Sequence, residues 1–152
     1  MVRCRCGQTL SPPSERRRHR CPGCGAIHDR HSDHYGTTAV ATRESWKREP
    51  PEGPFDAVDV QWSYAPDDLE RIRWGLTPRA MEEKWAAFVE GEELLLYRSW
   101  TGILCFAVSL TSAGVDRVRI ARHLPNHPSQ LKTARWLVES LLVGRDWEFP
   151  GL

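Results

Sequence analysis

Residues 84–110 constrain the fold more than any other part of the chain, because they hold most of its β-forming side chains. Apolar and polar residues alternate in this stretch, and turn signals around Gly91 and Gly102 divide it into three segments. Another alternating segment follows Gly114. We expect strands at residues 84–89, 94–100, 103–110 and 115–121. The short connections predict an antiparallel meander of about four strands.

Two amphipathic segments flank the predicted strands. Pro66 followed by acidic residues is typical of a helix start, and Gly75 is expected to end this helix. A C-terminal helix is expected to have Ser129 as its N-cap and to end at Gly144. Its apolar stripe consists of Leu131, Ala134, Val138, Leu141 and Leu142. Packing this helix across the sheet predicts a two-layer α+β domain at residues 55–152.

Residues 36–54 are predicted to be a linker. The run from Pro50 to Pro54 contains three prolines and a glycine, so it cannot form the interior of a helix or strand. Trp46 is expected to dock on a neighbouring part of the protein. Residues 55–64 alternate weakly and are interpreted as either a strand or an extended arm.

Four cysteines near the N-terminus have the spacing of a metal site. Cys4 and Cys6 form one close pair, and Cys21 and Cys24 form a second pair after fourteen intervening residues. Zinc prefers four ligands in a tetrahedron, and two pairs brought together by a hairpin supply this geometry. Clustered cysteines without a secretory signal are typical of a metal site in a reducing compartment. The sequence therefore predicts a Zn²⁺ site and a cytoplasmic protein.

The motif CPGCG at residues 21–25 resembles the zinc-ribbon family, and the likeness covers roughly a fifth of the chain, residues 1–35. The resemblance implies a small module that depends on its metal for folding. The first cysteine pair departs from the usual pattern, because one residue separates Cys4 from Cys6 instead of two. A histidine is therefore the alternative to Cys4 as fourth ligand, and the candidates are His19, His28, His31 and His34.

A basic segment between the two cysteine pairs is a candidate nucleic-acid contact. Its arginines are Arg16, Arg17, Arg18 and Arg20. They could contact phosphates and make binding salt-dependent. The alternative is a solvated face, because Glu15 is adjacent and no aromatic residue is interleaved. Residues 1–35 carry seven Lys/Arg and three Asp/Glu, a surplus of +4. Zinc held by four thiolates would lower this surplus to about +2.

A second polar cluster, Arg98-Ser99-Trp100-Thr101-Gly102, lies where the second predicted strand of the meander ends at a turn. Arginine can bind phosphate or carboxylate bidentately, hydroxyls can donate hydrogen bonds, and tryptophan offers a stacking face. With Lys84 on the adjacent strand, these residues suit an anionic ligand that contains a planar ring. The alternative is structural: Trp100 packs beneath the helix, and Arg98 caps that helix or pairs with a glutamate.

The motifs KW at residues 84–85 and YRSWTG at residues 97–102 resemble a small bacterial domain of unassigned function, over residues 74–145. Relatives of this domain occur near ADP-ribose-processing proteins. The resemblance therefore implies a second hypothesis, a small nucleotide- or ADP-ribose-related enzyme or sensor. Its pocket would lie around Lys84, Arg98 and Trp100.

The sequence contains no recognisable catalytic constellation. It has neither a glycine-rich phosphate loop ahead of a helix nor a nucleophile elbow, and Cys105 is expected in the core. No apolar run approaches the ~20 residues of a membrane span. We therefore expect a non-enzymatic zinc-binding interaction protein. Its ribbon would dock to nucleic acid or protein, and its sheet domain would recognise a partner or ligand through the turn at residues 98–102.

Overall fold

The computed structural model describes residues 2–3, 9–10, 18–24, 27–28, 40–49, 53–78, 83–124 and 127–144. The short N-terminal strands are β1 (Val2–Arg3), β2 (Thr9–Leu10), β3 (His19–Arg20) and β4 (Ile27–His28). The larger elements are β5 (Phe55–Ser63), α1 (Pro66–Arg73), β6 (Trp85–Glu90), β7 (Glu93–Arg98), β8 (Leu104–Leu110), β9 (Gly114–Ala121) and α2 (His127–Trp136). Helix α2 continues as a π-helical segment, Leu137–Val143. No helix in the described ranges is long and apolar enough to cross a membrane.

Five antiparallel strands form the central sheet, in the order β5-β9-β8-β7-β6. The α+β class and the meander of β6 to β9 are confirmed, but the predicted number of four strands is wrong, because β5 pairs along β9. Two aspartates weaken the strand pattern of β5 in the sequence. In the sheet, Asp56 pairs with Arg122 at 2.7 Å and Asp59 with Arg117 at 3.2 Å, so each carboxylate lies opposite a cation on β9 or directly after it.

The main core lies between one face of the sheet and the two helices. Leu69 and Ile72 of α1 and Leu137 of the π-helical segment pack into the same buried cluster as Phe106 and Val108 of β8. The helices therefore form a single layer on the sheet, as the predicted apolar stripe requires.

The C-terminal helix begins at His127, three residues earlier than an N-cap at Ser129 requires, so Ser129 lies within its first turn and is not its N-cap. Its end is as predicted, at Gly144, which has a φ of 98°. The π-helical segment before Gly144 places a buried carboxylate, Glu139. The Tyr64 hydroxyl donates to Glu139 Oε2 at 2.9 Å and Arg135 Nε donates to the same oxygen at 2.7 Å.

The opposite face of the sheet is partly covered by residues 40–49, which belong to the predicted linker. Ala41 is buried in a second apolar cluster with Phe88 and Tyr97, and its amide donates to the Trp74 carbonyl at 2.8 Å. This part of the predicted linker is therefore packed against the domain. Residues 36–39 and 50–52 lie outside the described ranges.

Gly75 lets the chain leave α1 and approach β6 closely. Its φ is +67°, and a Cβ at this position would lie 2.4 Å from the Ala87 carbonyl oxygen. Leu76 and Ala87 then exchange two backbone hydrogen bonds of 2.9 Å each. The end of α1 is therefore fixed to the β6 edge of the sheet, with the Gly75 carbonyl beside it.

Candidate functional site

The N-terminal strands form two small hairpins. Strand β1 pairs with β2 and β3 with β4, each in antiparallel register. Cys21 and Cys24 lie in the tight connection between β3 and β4, where Cys21 is buried and Cys24 is exposed. Cys4 and Cys6 fall in the connection between β1 and β2, which is outside the described residues.

The metal site predicted from the sequence is therefore only partly visible. Within the described residues no group of three or more metal-ligating side chains comes together. Of the histidines considered as alternative ligands, His19 and His28 are register partners on β3 and β4, whereas His31 and His34 lie outside the described ranges. Zinc binding stays a prediction at this point.

Arg18 is buried. The sequence predicted that the arginines of the basic segment are either solvated or in contact with phosphates, and Arg18 has neither role. Its side chain is among the largest fully buried ones, with 2% of the residue exposed. Arg20 is exposed, and Arg16 and Arg17 lie outside the described residues. Of this predicted set, the structure therefore places one arginine inside the protein and one at the surface.

The Arg18 guanidinium binds the carbonyl groups at the ends of both helical elements. Nε donates to Leu142 O at 2.5 Å, Nη1 to Gly75 O at 2.7 Å and Nη2 to Arg71 O at 2.7 Å. The last carbonyls of a helix lack intrahelical partners and carry the negative end of its dipole, so a cation is favoured there. We call this arrangement the Arg18 clamp.

The backbone of Arg18 takes part in the same contact. Its amide donates to Val143 O at 3.1 Å, and its carbonyl accepts a bond from Arg71 Nε at 2.6 Å. Its guanidinium carbon also lies 5.8 Å from the centre of the Trp74 ring. The Arg18 clamp therefore fastens the N-terminal module to the helical layer through side-chain and backbone bonds together.

The turn at residues 98–102 connects β7 to β8 and has a well-defined backbone. Gly102 donates its amide to Arg98 O at 2.8 Å and has a φ of +73°, a conformation that glycine adopts without strain. The Thr101 hydroxyl accepts a bond from the Ile103 amide at 3.2 Å. A Cβ on Gly102 would lie 3.1 Å from Lys47 O, because residues 47–49 pack directly on the turn.

Ser99, one of the predicted ligand contacts, has a structural role. Only 1% of it is exposed, and its hydroxyl donates to Glu83 O at 2.8 Å while its amide donates to Lys84 O at 2.9 Å. Its carbonyl accepts a bond from the indole Nε1 of Trp46 at 2.7 Å. Ser99 therefore joins β6, the turn and residues 40–49, and its hydroxyl faces the protein.

Two tryptophans are exposed beside this turn. Trp100 is 60% exposed and Trp46 is 37% exposed, and no other large apolar side chain in the described ranges is classed as exposed. The expectation that Trp46 docks on a neighbour is confirmed, because its indole binds Ser99 O. The structural alternative for Trp100, packing beneath the helix, does not agree with its exposure.

Cations that form no ion pair concentrate at the same turn. Seven arginines of the described residues form ion pairs with carboxylates: Arg43, Arg71, Arg73, Arg117, Arg119, Arg122 and Arg135. Within residues 40–144, as far as they are described, five cations form none. Four of them are at or beside the turn: Lys47, Arg48, Lys84 and Arg98.

Arg98 and Lys84 lie on neighbouring segments of the chain, because the Ser99 amide donates to Lys84 O. Arg98 is the register partner of Trp85, and its guanidinium carbon lies 4.9 Å from the centre of the Trp85 ring. Lys84 precedes Trp85 and is exposed. Among the described residues, the acidic ones at the turn are Glu49, which donates its amide to Gly102 O, and Glu83. Within this part of the chain, four cations against two carboxylates leave a local surplus of positive charge.

The chemistry around this turn does not include an activated thiol. Cys105 is fully buried, as predicted, and burial raises the pKa of its thiol to about 11, although nearby Arg98 acts in the opposite direction. The thiolate is therefore scarce at neutral pH.

A cleft between residues 42–48 and the sheet has a volume of about 10 Å³. It is about large enough for one water molecule and much too small for a nucleotide.

We call the combination of Trp46, Trp100, Lys84 and Arg98 the two-tryptophan turn. Sequence reasoning identified three of these residues and missed Trp46, for which the signal was a tryptophan in an otherwise polar predicted linker. Comparison with models of known families, with curated proteins and with solved structures gave no match.

Proposed function

We propose that this chain is a non-enzymatic zinc-binding interaction protein whose two-tryptophan turn binds an anionic partner. The observation that carries the proposal is the convergence of exposed aromatic side chains and cations without ion pairs on one rigid turn. Exposed apolar side chains grouped at one place are typical of an interaction surface. Cations at its edge attract an anionic partner and make the association rate depend on salt.

The zinc site supplies the structure of the N-terminal module in this proposal. Cys4, Cys6, Cys21 and Cys24 would hold the ion, and the tight hairpin connection that carries Cys21 and Cys24 is compatible with a zinc knuckle. When bound, zinc would stabilise the fold of the module. Zinc–thiolate sites suit a reducing compartment, so cytoplasmic localisation is part of the proposal.

The alternative of a nucleotide- or ADP-ribose-related enzyme or sensor uses the same residues, Lys84, Arg98 and Trp100. It would need a pocket that surrounds the reacting group and excludes water. Lys84, Arg98 and Trp100 are all exposed, and none of them lines the small cleft beside residues 42–48. Binding on an open surface is the role that the local shape supports better.

We expect fewer than four arginines of the ribbon to be available for binding a partner. Arg18 is occupied by helix-end carbonyls, so docking to nucleic acid or protein through the basic segment would use Arg16, Arg17 and Arg20. A variant that replaces Arg18 would weaken binding through loss of structure. It should therefore be left out of any set that tests phosphate contact.

A salt series tests the proposed function. The zinc-loaded protein is titrated by fluorescence anisotropy against labelled single-stranded DNA, duplex DNA and an acidic peptide, between about 50 and 200 mM salt. We expect binding to at least one polyanion that weakens as salt rises. Replacing Lys84 or Arg98 by alanine should lower the slope of log affinity against log salt by about 0.7 to 1 each.

Arg117→Ala is the matched control for these substitutions. Arg117 is exposed like Arg98, but it pairs in register with Ser109, which faces Glu93 at the other end of β7. It therefore lies about 17 Å from the turn along the strand direction. Binding that is absent at low salt for all three probes, or that changes equally in Arg117→Ala and Arg98→Ala, would contradict the proposal.

A further inference from the structure

We infer that the partner of the two-tryptophan turn is single-stranded nucleic acid, with bases stacked on Trp100 and Trp46 and phosphates near Lys84 and Arg98. This inference rests on the proposed function and names the ligand class of the same surface. Single-strand-binding proteins combine aromatic platforms, on which bases stack, with cations that follow the backbone. Both features are present at this turn.

The orientation of Trp46 favours stacking over hydrogen bonding as its mode of recognition. Its only polar group, the indole Nε1, already donates to Ser99 O at 2.7 Å. The ring is therefore held in place, and what it offers to a ligand is aromatic surface. A fixed ring loses little conformational entropy when it binds, so it is a preorganised platform.

The backbone beneath Trp100 is fixed in the same way. Ser99 is anchored to Glu83 and Lys84, and Gly102 is packed against Lys47. Trp100 extends from this rigid support with 60% of its surface exposed. Trp100 directly follows Ser99 in the chain and Trp46 donates to Ser99 O, so both tryptophans adjoin the same residue of the turn.

The cations suit a phosphate backbone that lies beside the stacked bases. Neither Lys84 nor Arg98 forms an ion pair with any described carboxylate, whereas seven other arginines do. Arg98 is oriented by the Trp85 ring at 4.9 Å, and Lys84 directly precedes Trp85 in the chain and is exposed. A cation that is positioned but not neutralised is available to a phosphate.

Single strands fit these features better than the other polyanions do. Duplex DNA hides the faces of its bases in the stack, so the tryptophans would have no ring to contact. An acidic peptide offers charge to the cations but has no regular series of planar rings. The combination of aromatic surface and cations therefore selects a strand with unpaired bases.

The test separates stacking from charge by comparing four probes. They are a labelled single strand of about 12 thymidines, a duplex of equal length, an abasic strand and inorganic polyphosphate. The protein is the full zinc-loaded chain, as wild type and as Trp100→Leu and Trp100→Phe. Leucine keeps an apolar side chain without an aromatic face, whereas phenylalanine keeps a smaller face.

We expect the wild type to bind the thymidine strand at least 10-fold more tightly than the abasic strand or the duplex. Loss of one base–aromatic stack should weaken thymidine binding about 5- to 150-fold in Trp100→Leu, with partial recovery in Trp100→Phe. Binding to polyphosphate should be the same in all three proteins. Because Trp100 is exposed, its substitution should leave the thermal midpoint unchanged, which shows that the variants are folded.

The outcomes distinguish this inference from the proposed function on which it rests. Equal affinity for the thymidine strand and for polyphosphate, unchanged in Trp100→Leu, would overturn the stacking inference but keep an anion-binding surface. Binding to the acidic peptide of the salt series, and to none of these four probes, would overturn it in favour of a protein partner. Absence of binding to every probe would overturn the inference and the proposed function together.

Discussion

Replacing Arg18 by methionine is expected to lower the free energy of unfolding by about 3 to 5 kcal/mol. Methionine keeps an unbranched chain of similar length, so the main change is the loss of the guanidinium. Three carbonyl oxygens, of Leu142, Gly75 and Arg71, would then lose a charged donor inside the protein. Domains of this size are stable by roughly 5 to 15 kcal/mol, so this loss is a large part of the total.

Urea unfolding followed by far-UV circular dichroism measures this effect. Arg20→Met is the matched control, because Arg20 is two residues away but exposed, and its replacement should change stability by less than about 0.5 kcal/mol. Arg18→Lys should recover little, since a single ammonium cannot reach three acceptors as the planar guanidinium does. Equal stability of Arg18→Met and Arg20→Met would show that the Arg18 clamp contributes nothing.

Removal of zinc is also expected to lower stability strongly. The loss should affect the α+β domain as well as the N-terminal module. Structural zinc contributes about 10 to 16 kcal/mol of apparent binding free energy in small zinc modules. Arg18 lies in the chain just before Cys21, so unfolding of the module would withdraw the guanidinium from the helix ends. A chelator should therefore lower the thermal midpoint of the α+β domain as well as unfold the hairpins.

Elemental analysis and thermal melts test this prediction together. The purified protein should contain one zinc per chain, and Cys21→Ser or Cys24→Ser should lose it. Cys105→Ala is the matched control and should retain the metal, because Cys105 is buried in β8. In Arg18→Met the chelator should have a smaller effect on the α+β domain. Protein that carries no zinc when purified anaerobically, with a midpoint insensitive to chelation, would contradict the account.

The sheet could be predicted where local pattern and tertiary environment agree. Strands β6 to β9 alternate clearly and are joined by short turns, so their order follows from the sequence. The sequence of residues 55–64 is compatible with a strand or an extended arm, because Asp56 and Asp59 are poor strand formers. Their partners, Arg122 and Arg117, are 66 and 58 residues away, and no local pattern shows that pairing.

The buried state of Arg18 could not be read from its surroundings in the sequence. It stands in a run of charged residues, which is typical of a solvated face. Its burial depends on carbonyl groups at the ends of two helical elements more than 50 residues away. Such acceptors belong to the backbone and have no signature in the residue types.

The candidate site could be predicted only in part, because some of its contacts join residues that are far apart in the sequence. Lys84, Arg98 and Trp100 are close because β6 and β7 are neighbours in a hairpin, which the sequence indicates. Ser99 was expected to contact a ligand, but the pleat and the turn direct its hydroxyl to Glu83 O. Trp46 joins the site from 53 residues earlier through its bond to Ser99, a tertiary contact that local periodicity does not encode.

Photochemical crosslinking tests the central claim, that the two-tryptophan turn is the recognition surface. The wild-type zinc-loaded protein is irradiated with a single strand that carries a photoreactive thymidine analogue, and the adducts are located by mass spectrometry. The account predicts adducts on the peptides that contain Trp46 and Trp100, competed by unlabelled single strand and not by duplex. Adducts confined to residues 1–35 at saturating strand would contradict it and would assign recognition to the basic segment of the N-terminal module.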